Sequence, residues 1–196
     1  MRTSKNTDRR QQILEILARE LESNPGSRIT TAALARAVGV SEAALYRHFS
    51  SKAKMFEALI DFAEESVFGL VNRILEKETE VEARCEQILK VLLGFSDKNP
   101  GITRVLLGDA LVGENERLRV RVAKFFERIE TQLKQVLREA NLGNGPRAAA
   151  GIDNTANQMM AFVEGKMSQY VRSDFKRKPA SSWEEQWLLF RSGLFR

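Results

Sequence analysis

Residues 28–52 read RITTAALARAVGVSEAALYRHFSSK, and their spacing predicts two short helices set at an angle by a tight turn. Thr30 or Thr31 can cap the first helix, because a threonine oxygen accepts hydrogen bonds from the free N–H groups of an opening turn. Leu34, Ala35 and Val38 then share one apolar face. Gly39 has no Cβ and can turn the chain out of a helix without steric cost. Ser41 caps the second helix, and Glu42 in its first turn complements the positive end of the helix dipole. Leu45 and Phe49, four residues apart, face inward with Val40 and Leu34.

This arrangement leaves Glu42, Ala43, Ala44, Tyr46, Arg47 and His48 on or near the outward face, a composition that suits DNA. Small alanines let the helix approach base edges, Arg47 can reach a guanine or a phosphate, and Tyr46 and His48 can donate to phosphate oxygens. Lys52 opens the next helix, where free N–H groups also attract phosphate. The expected DNA-binding set is therefore Thr30, Thr31, Ser41, Glu42, Ala43, Ala44, Tyr46, Arg47, His48 and Lys52. A solvated helical hairpin is the competing reading, and the agreement of caps, glycine turn and outward basic residues favours DNA over it.

Residues 30–52 resemble the DNA-binding domain of TetR-family regulators, whose second and third helices end in a Tyr-x-His-Phe signature with a lysine shortly after. Three later stretches, GFSDKNPGITRVLLGDAL (94–111), FFERIETQLKQVLRE (125–139) and FVEGKMSQYVRSDFKRKP (162–179), resemble the nucleoid occlusion branch of that family. The resemblance implies an all-α fold, with a helix-turn-helix domain over residues 1–53 and a helical regulatory and dimerisation body over residues 54–196. It implies a homodimer on a palindromic double-stranded operator, located in the cytoplasm on the nucleoid. The implied function is inhibition of FtsZ ring assembly by protein bound at chromosomal sites, coordinating division with chromosome segregation. The surface that meets FtsZ in that branch matches Phe62, Gly94, Lys98 and Asn99 here. Lys98 stands for an arginine of the branch, and Leu70 stands where another arginine is expected. Plain core packing for Phe62 and a plain turn for Asn99, Pro100 and Gly101 compete with that reading. The alternative function is the common TetR plan, a transcriptional repressor released from DNA by a small ligand.

Charge supports DNA independently. The whole formal excess of +5 lies in residues 1–54, which hold ten Lys/Arg against five Asp/Glu, while residues 55–196 hold 21 of each. Such a segment attracts polyanions with an affinity that falls steeply as salt rises. Residues 57–86 hold nine acids and three bases and are expected to face away from DNA. Cys85, the only cysteine, allows no intrachain disulfide and reads as a small buried helix residue. Met1 to Gln12 lacks the apolar core of a secretory signal, and no apolar run nears the roughly 20 residues of a membrane span.

Along the chain, residues 1–7 read as a polar arm in which Arg2, Lys5, Arg9 and Arg10 can meet DNA backbone or minor groove or remain solvated. A first helix is expected over 8–23, a long fourth from a Ser50 or Ser51 cap to 77, and further helices over 80–97, 102–112, 114–140, 148–175 and 182–193, about nine in all. The fourth is expected to join the DNA-binding unit to the body through a stripe of Met55, Leu59, Phe62, Ser66, Leu70 and Ile74. Residues 141–146 (NLGNGP) give the strongest linker signal. The aromatic surface of Met159, Phe162, Tyr170, Trp183, Trp187 and Phe190 exceeds what one short terminal helix can bury, which points to a dimer interface; packing within one subunit is the alternative. His48 is the only histidine, so no multi-histidine metal site and no histidine-containing triad can form in one chain, and no phosphate-loop motif occurs. No catalytic residue, metal or cofactor is expected.

Overall fold

The computed structural model describes residues 2–142 and 146–196. Its helices are α1 (Arg2–Ser23), α2 (Thr31–Val38), α3 (Glu42–Tyr46), α4 (Lys52–Lys77), α5 (Val81–Lys98), α6 (Pro100–Leu106), α7 (Glu116–Leu142), α8 (Ile152–Arg172) and α9 (Trp183–Leu194), with a short 3-10 helix at Asp109–Leu111. Among the described residues β-structure is confined to one antiparallel bridge between Ala148 and Phe195. The chain forms two compact units, the first from Met1–Ala63 with Asn99–Val122, the second from Glu64–Lys98 with Ala123–Arg196. The first unit therefore extends past residue 53 and takes in α6 and the start of α7.

In the first unit α1 presents Ile13, Leu17 and Leu21, all buried and spaced by four, and packs chiefly on α6 and α2. The α1–α6 approach is close enough to require glycine. A Cβ on Gly101 would lie 2.0 Å from the backbone oxygen of Ala18 and 3.0 Å from the Leu21 Cβ. Three residues on, Arg104 is 1% exposed, the only strongly basic side chain so deeply placed among the described residues. Its guanidinium donates to the carbonyls of Leu21 at 2.7 Å and Asn24 at 2.9 Å and pairs with Asp109. The Leu21 carbonyl in the last turn of α1 and the Asn24 carbonyl just past its end thus meet a cation, the charge that the helix dipole favours there.

In the second unit α5 buries Val81, Cys85, Ile88, Leu89 and Leu92 and packs on α8 and α9. Burial pushes the Cys85 thiol up to about 12, so it stays protonated and unreactive. Trp183 donates from Nε1 to Glu86 Oε1 at 3.1 Å and stacks on Trp187 at a centroid distance of 5.7 Å.

Several expectations shift. Backbone helix begins at Arg2, so the arm over residues 2–7 continues α1; Met1 and residues 143–145 of the linker lie outside the described residues. The helix expected over 102–112 ends at Leu106, because Gly108 takes φ +78° and the chain continues as the 3-10 turn. The α4 stripe is out of phase: the buried face is Met55, Phe56, Leu59, Ile60, Ala63, Val67 and Val71, while Phe62 and Leu70 are 43% and 41% exposed. Four of the six residues expected at a dimer interface, Met159, Tyr170, Trp183 and Trp187, are buried within the chain itself, since α5 and the facing helix surfaces already cover them. Phe162 and Phe190 are half-buried and stack at 4.5 Å, and what α9 leaves in the open is Leu188 and Leu189, 60% and 79% exposed.

Gly101→Ala should destabilise the protein by about 3 kcal/mol, the upper range for overpacking, because the clash is with backbone that no rotamer change relieves. Thermal or denaturant unfolding measures this, and a loss below about 0.5 kcal/mol would contradict the tight α1–α6 contact.

Candidate nucleic-acid interface

The DNA-facing geometry is assembled by caps. Thr30 Oγ1 accepts from Ala33 N at 3.1 Å and Ser41 Oγ accepts from Ala44 N at 3.2 Å, so both helix starts are fixed by the side chains the sequence singled out. Gly39 adopts φ +75°, and its N–H together with that of Val40 returns to α2 carbonyls, closing the turn. Leu34, Ala35, Val38, Leu45 and Phe49 are buried beneath, which settles which side of α3 is free.

On that free side Glu42, Ala43, Tyr46 and Arg47 are exposed and Ala44 is half-buried. Arg47, the C-cap of α3, donates its backbone N–H to the Leu45 carbonyl, while its exposed guanidinium carries no intramolecular hydrogen bond or ion pair among the described residues and is available to a base edge or phosphate. Tyr46 donates to Thr31 Oγ1 at 3.3 Å, which ties α3 to the first residue of α2. His48 is half-buried with its Nδ1 enclosed and unpartnered, so that nitrogen is not presented to a phosphate.

Two basic residues of the sequence reading have intramolecular partners. Arg10 of α1 donates to the His48 carbonyl and lies over the Phe49 ring at 4.1 Å from its centroid, where it fixes the end of the recognition segment. Lys52, the first residue of α4, places its Nζ 2.5 Å from Glu114 Oε1, and the same oxygen accepts from Arg28 Nε at 3.2 Å. Arg28 also donates to the Gly113 carbonyl at 3.0 Å. Glu114 was not singled out by the sequence, since a contact 62 residues away leaves no local signature.

Of the positions matched to a protein partner, Phe62 and Asn99 border one cleft of about 430 Å³ in the first unit, together with Leu14, Ala18, Leu59 and Ile102. Gly94 and Lys98 lie four apart on α5 in the second unit, half-buried and exposed respectively. Leu70 lines an open groove in that unit with Arg73, Lys77, Lys90 and Val91. Among the described residues no group of His, Cys, Asp and Glu is disposed to hold a metal, and no helix is long and apolar enough to cross a membrane.

Residues 13–59 match the family described as bacterial regulatory proteins, tetR family, and residues 77–194 match the tetracyclin repressor-like C-terminal domain of SlmA-like proteins. The nucleoid occlusion factor SlmA of Marinomonas sp. (strain MWYL1) is 59% identical over 98% of both chains. That of Alteromonas mediterranea is 56% identical over 95% of this chain and 96% of its own. The same fold occurs in the MbdR regulator from Azoarcus sp. CIB, with a TM-score of 0.80 at 16% identity, covering 94% of this chain and 97% of that one. The TetR-family regulator PfmR from Thermus thermophilus shares it with a TM-score of 0.77 at 19% identity over 94% and 99%. With its capped reading helices at one end and its SlmA-like helices over the rest, the chain belongs to the TetR family of DNA-binding regulators, in its SlmA branch.

Proposed function

We propose that the chain is a homodimeric, sequence-specific DNA-binding nucleoid occlusion factor that, on chromosomal sites, inhibits FtsZ ring assembly and so coordinates division with segregation. As a member of its family it is a regulator and not an enzyme. The observation that carries the reading is that the likeness to nucleoid occlusion factors runs through both the reading helices and the body. Residues 1–53 are the DNA-binding segment and residues 54–196 the regulatory and dimerising one, and the protein resides on the nucleoid in the cytoplasm.

In this reading α3 enters the major groove, where Ala43 and Ala44 permit close approach and Arg47 supplies a base or phosphate contact, with Glu42 and Tyr46 beside it. Thr30, Thr31 and Ser41 hold the helix starts toward the backbone, and His48 and Lys52 flank the far end. A second copy pairs through the surface left open on α9 by Leu188 and Leu189, with Phe162 and Phe190 at its edge, so that two reading helices meet a palindromic operator. FtsZ is received on Phe62, Asn99, Gly94 and Lys98. The exposure of Phe62 supports this part, because a large aromatic left 43% open is a common anchor for a partner.

Sedimentation of FtsZ polymers with the protein, with and without operator duplex, tests the reading. DNA-stimulated loss of polymer is expected; release of DNA by a small ligand with polymers untouched would assign the chain to the repressor plan instead. Phe62→Glu should bind operator as the parent does yet lose at least about tenfold in potency against FtsZ, as removal of an interface anchor does. Arg47→Ala should weaken operator binding by about 1–3 kcal/mol with an unchanged melting temperature, since the side chain contributes nothing to the core. Unaltered binding in a gel-shift assay at moderate salt would remove Arg47 from the interface.

A further inference from the structure

We propose that Glu114 is an internal competitor for DNA phosphate that sets the strength and salt dependence of operator binding by occupying Lys52 and Arg28. This rests on the DNA-binding reading above.

Two cations converge on one carboxylate oxygen. Lys52 Nζ lies 2.5 Å and Arg28 Nε 3.2 Å from Glu114 Oε1. Arg28 is anchored a second time by the Gly113 carbonyl at 3.0 Å. The Glu114 side chain is 8% exposed and that of Lys52 16%, whereas that of Arg28 is 65% exposed. The carboxylate and the lysine are therefore held inward, while Arg28 reaches them from solvent. Arg28 lies two residues before the Thr30 cap of α2, and Lys52 opens α4 three residues after the buried Phe49. Both sites flank the reading helices, which is where the protein backbone meets phosphates in a helix-turn-helix complex.

The position of Glu114 is fixed by the chain around it. Gly113 takes φ +74°, Glu114 N donates to the Leu111 carbonyl at 3.0 Å, and Asn115 Oδ1 accepts from Arg117 N at 3.0 Å where α7 begins. A carboxylate presented by a rigid turn to two cations has the charge and hydrogen-bonding pattern of a phosphate oxygen. A phosphate that approaches Lys52 or Arg28 meets a partner already neutralised, and the field of Glu114 repels it. Of the basic residues near the reading helices, Arg47 has no such internal partner among the described residues, so it offers its full charge while Lys52 and Arg28 offer theirs only on exchange.

Replacing the carboxylate by its neutral isostere should release that charge. Each phosphate newly neutralised steepens the slope of log affinity against log salt by about 0.9. For Glu114→Gln, operator binding should tighten several-fold at low salt, the slope should steepen by about one to two, and the gain should shrink as salt rises. Glu114→Asp, which keeps the charge, should retain the parent slope. The double variant Glu114→Gln with Lys52→Gln should lose at least half of the added slope. Fluorescence anisotropy of a labelled operator duplex across a salt series reads all three, with circular dichroism melts in parallel. A Glu114→Gln slope equal to that of the parent, at whatever affinity or melting temperature, would overturn the proposal and leave Glu114 a structural tie. A parent protein that binds no duplex selected from random sequence would instead bring down the DNA-binding reading and this proposal with it.

Discussion

A buried guanidinium holds the N-terminal unit in register. Removing Arg104 from water is favourable only because its donors find the carbonyls of Leu21 and Asn24 and the carboxylate of Asp109, and those acceptors exist together only when α1 ends where it does. The same contact sets a cation against the Leu21 carbonyl in the last turn of α1 and the Asn24 carbonyl just past its end. Gly101, one turn earlier on α6, lets the two backbones close to the distance at which the arginine reaches. α1 in turn carries Ile13, Leu17 and Leu21 in the core shared with α2, and holds the end of the recognition segment through Arg10 on His48 and Phe49. The aim of Arg47 thus depends on a chain of contacts that begins at the C-terminus of the first helix.

Local signals made the reading helices legible in the sequence. Thr30, Gly39 and Ser41 each act through atoms within a few residues, and the structure places all three in the caps and turn that their chemistry dictates. Pro100 stands at the first position of α6, where its ring is tolerated, whereas the end of that helix is set by Gly108 rather than by the residues after it. What was not legible depends on partners far along the chain. Arg104 stands in an apolar run, and that mismatch was the one signal available for its burial; the carbonyls that accept from it lie 80 and 83 residues away. Glu114 reads as one more surface acid until Lys52 and Arg28 are seen beside it.

Phase and coverage account for the remaining differences. α4 carries apolar residues on more than one face, so a stripe through Phe62 and Leu70 competes with the buried one through Phe56, Ile60, Ala63 and Val67, and periodicity alone does not choose. The C-terminal aromatics raise a related problem. Sequence shows that Trp183 and Trp187 must be covered but not by which chain, and α5 with Glu86 covers them from within. Both differences move apolar surface: Phe62 is 43% exposed, and the open face of α9 passes from the tryptophans to Leu188 and Leu189.

Chromosome-wide occupancy of the protein in growing cells tests the central claim most directly. An occlusion factor must mark DNA wherever it persists, so the account predicts many bound sites sharing one palindromic sequence and dispersed around the chromosome. Occupancy confined to one or a few promoters would contradict it.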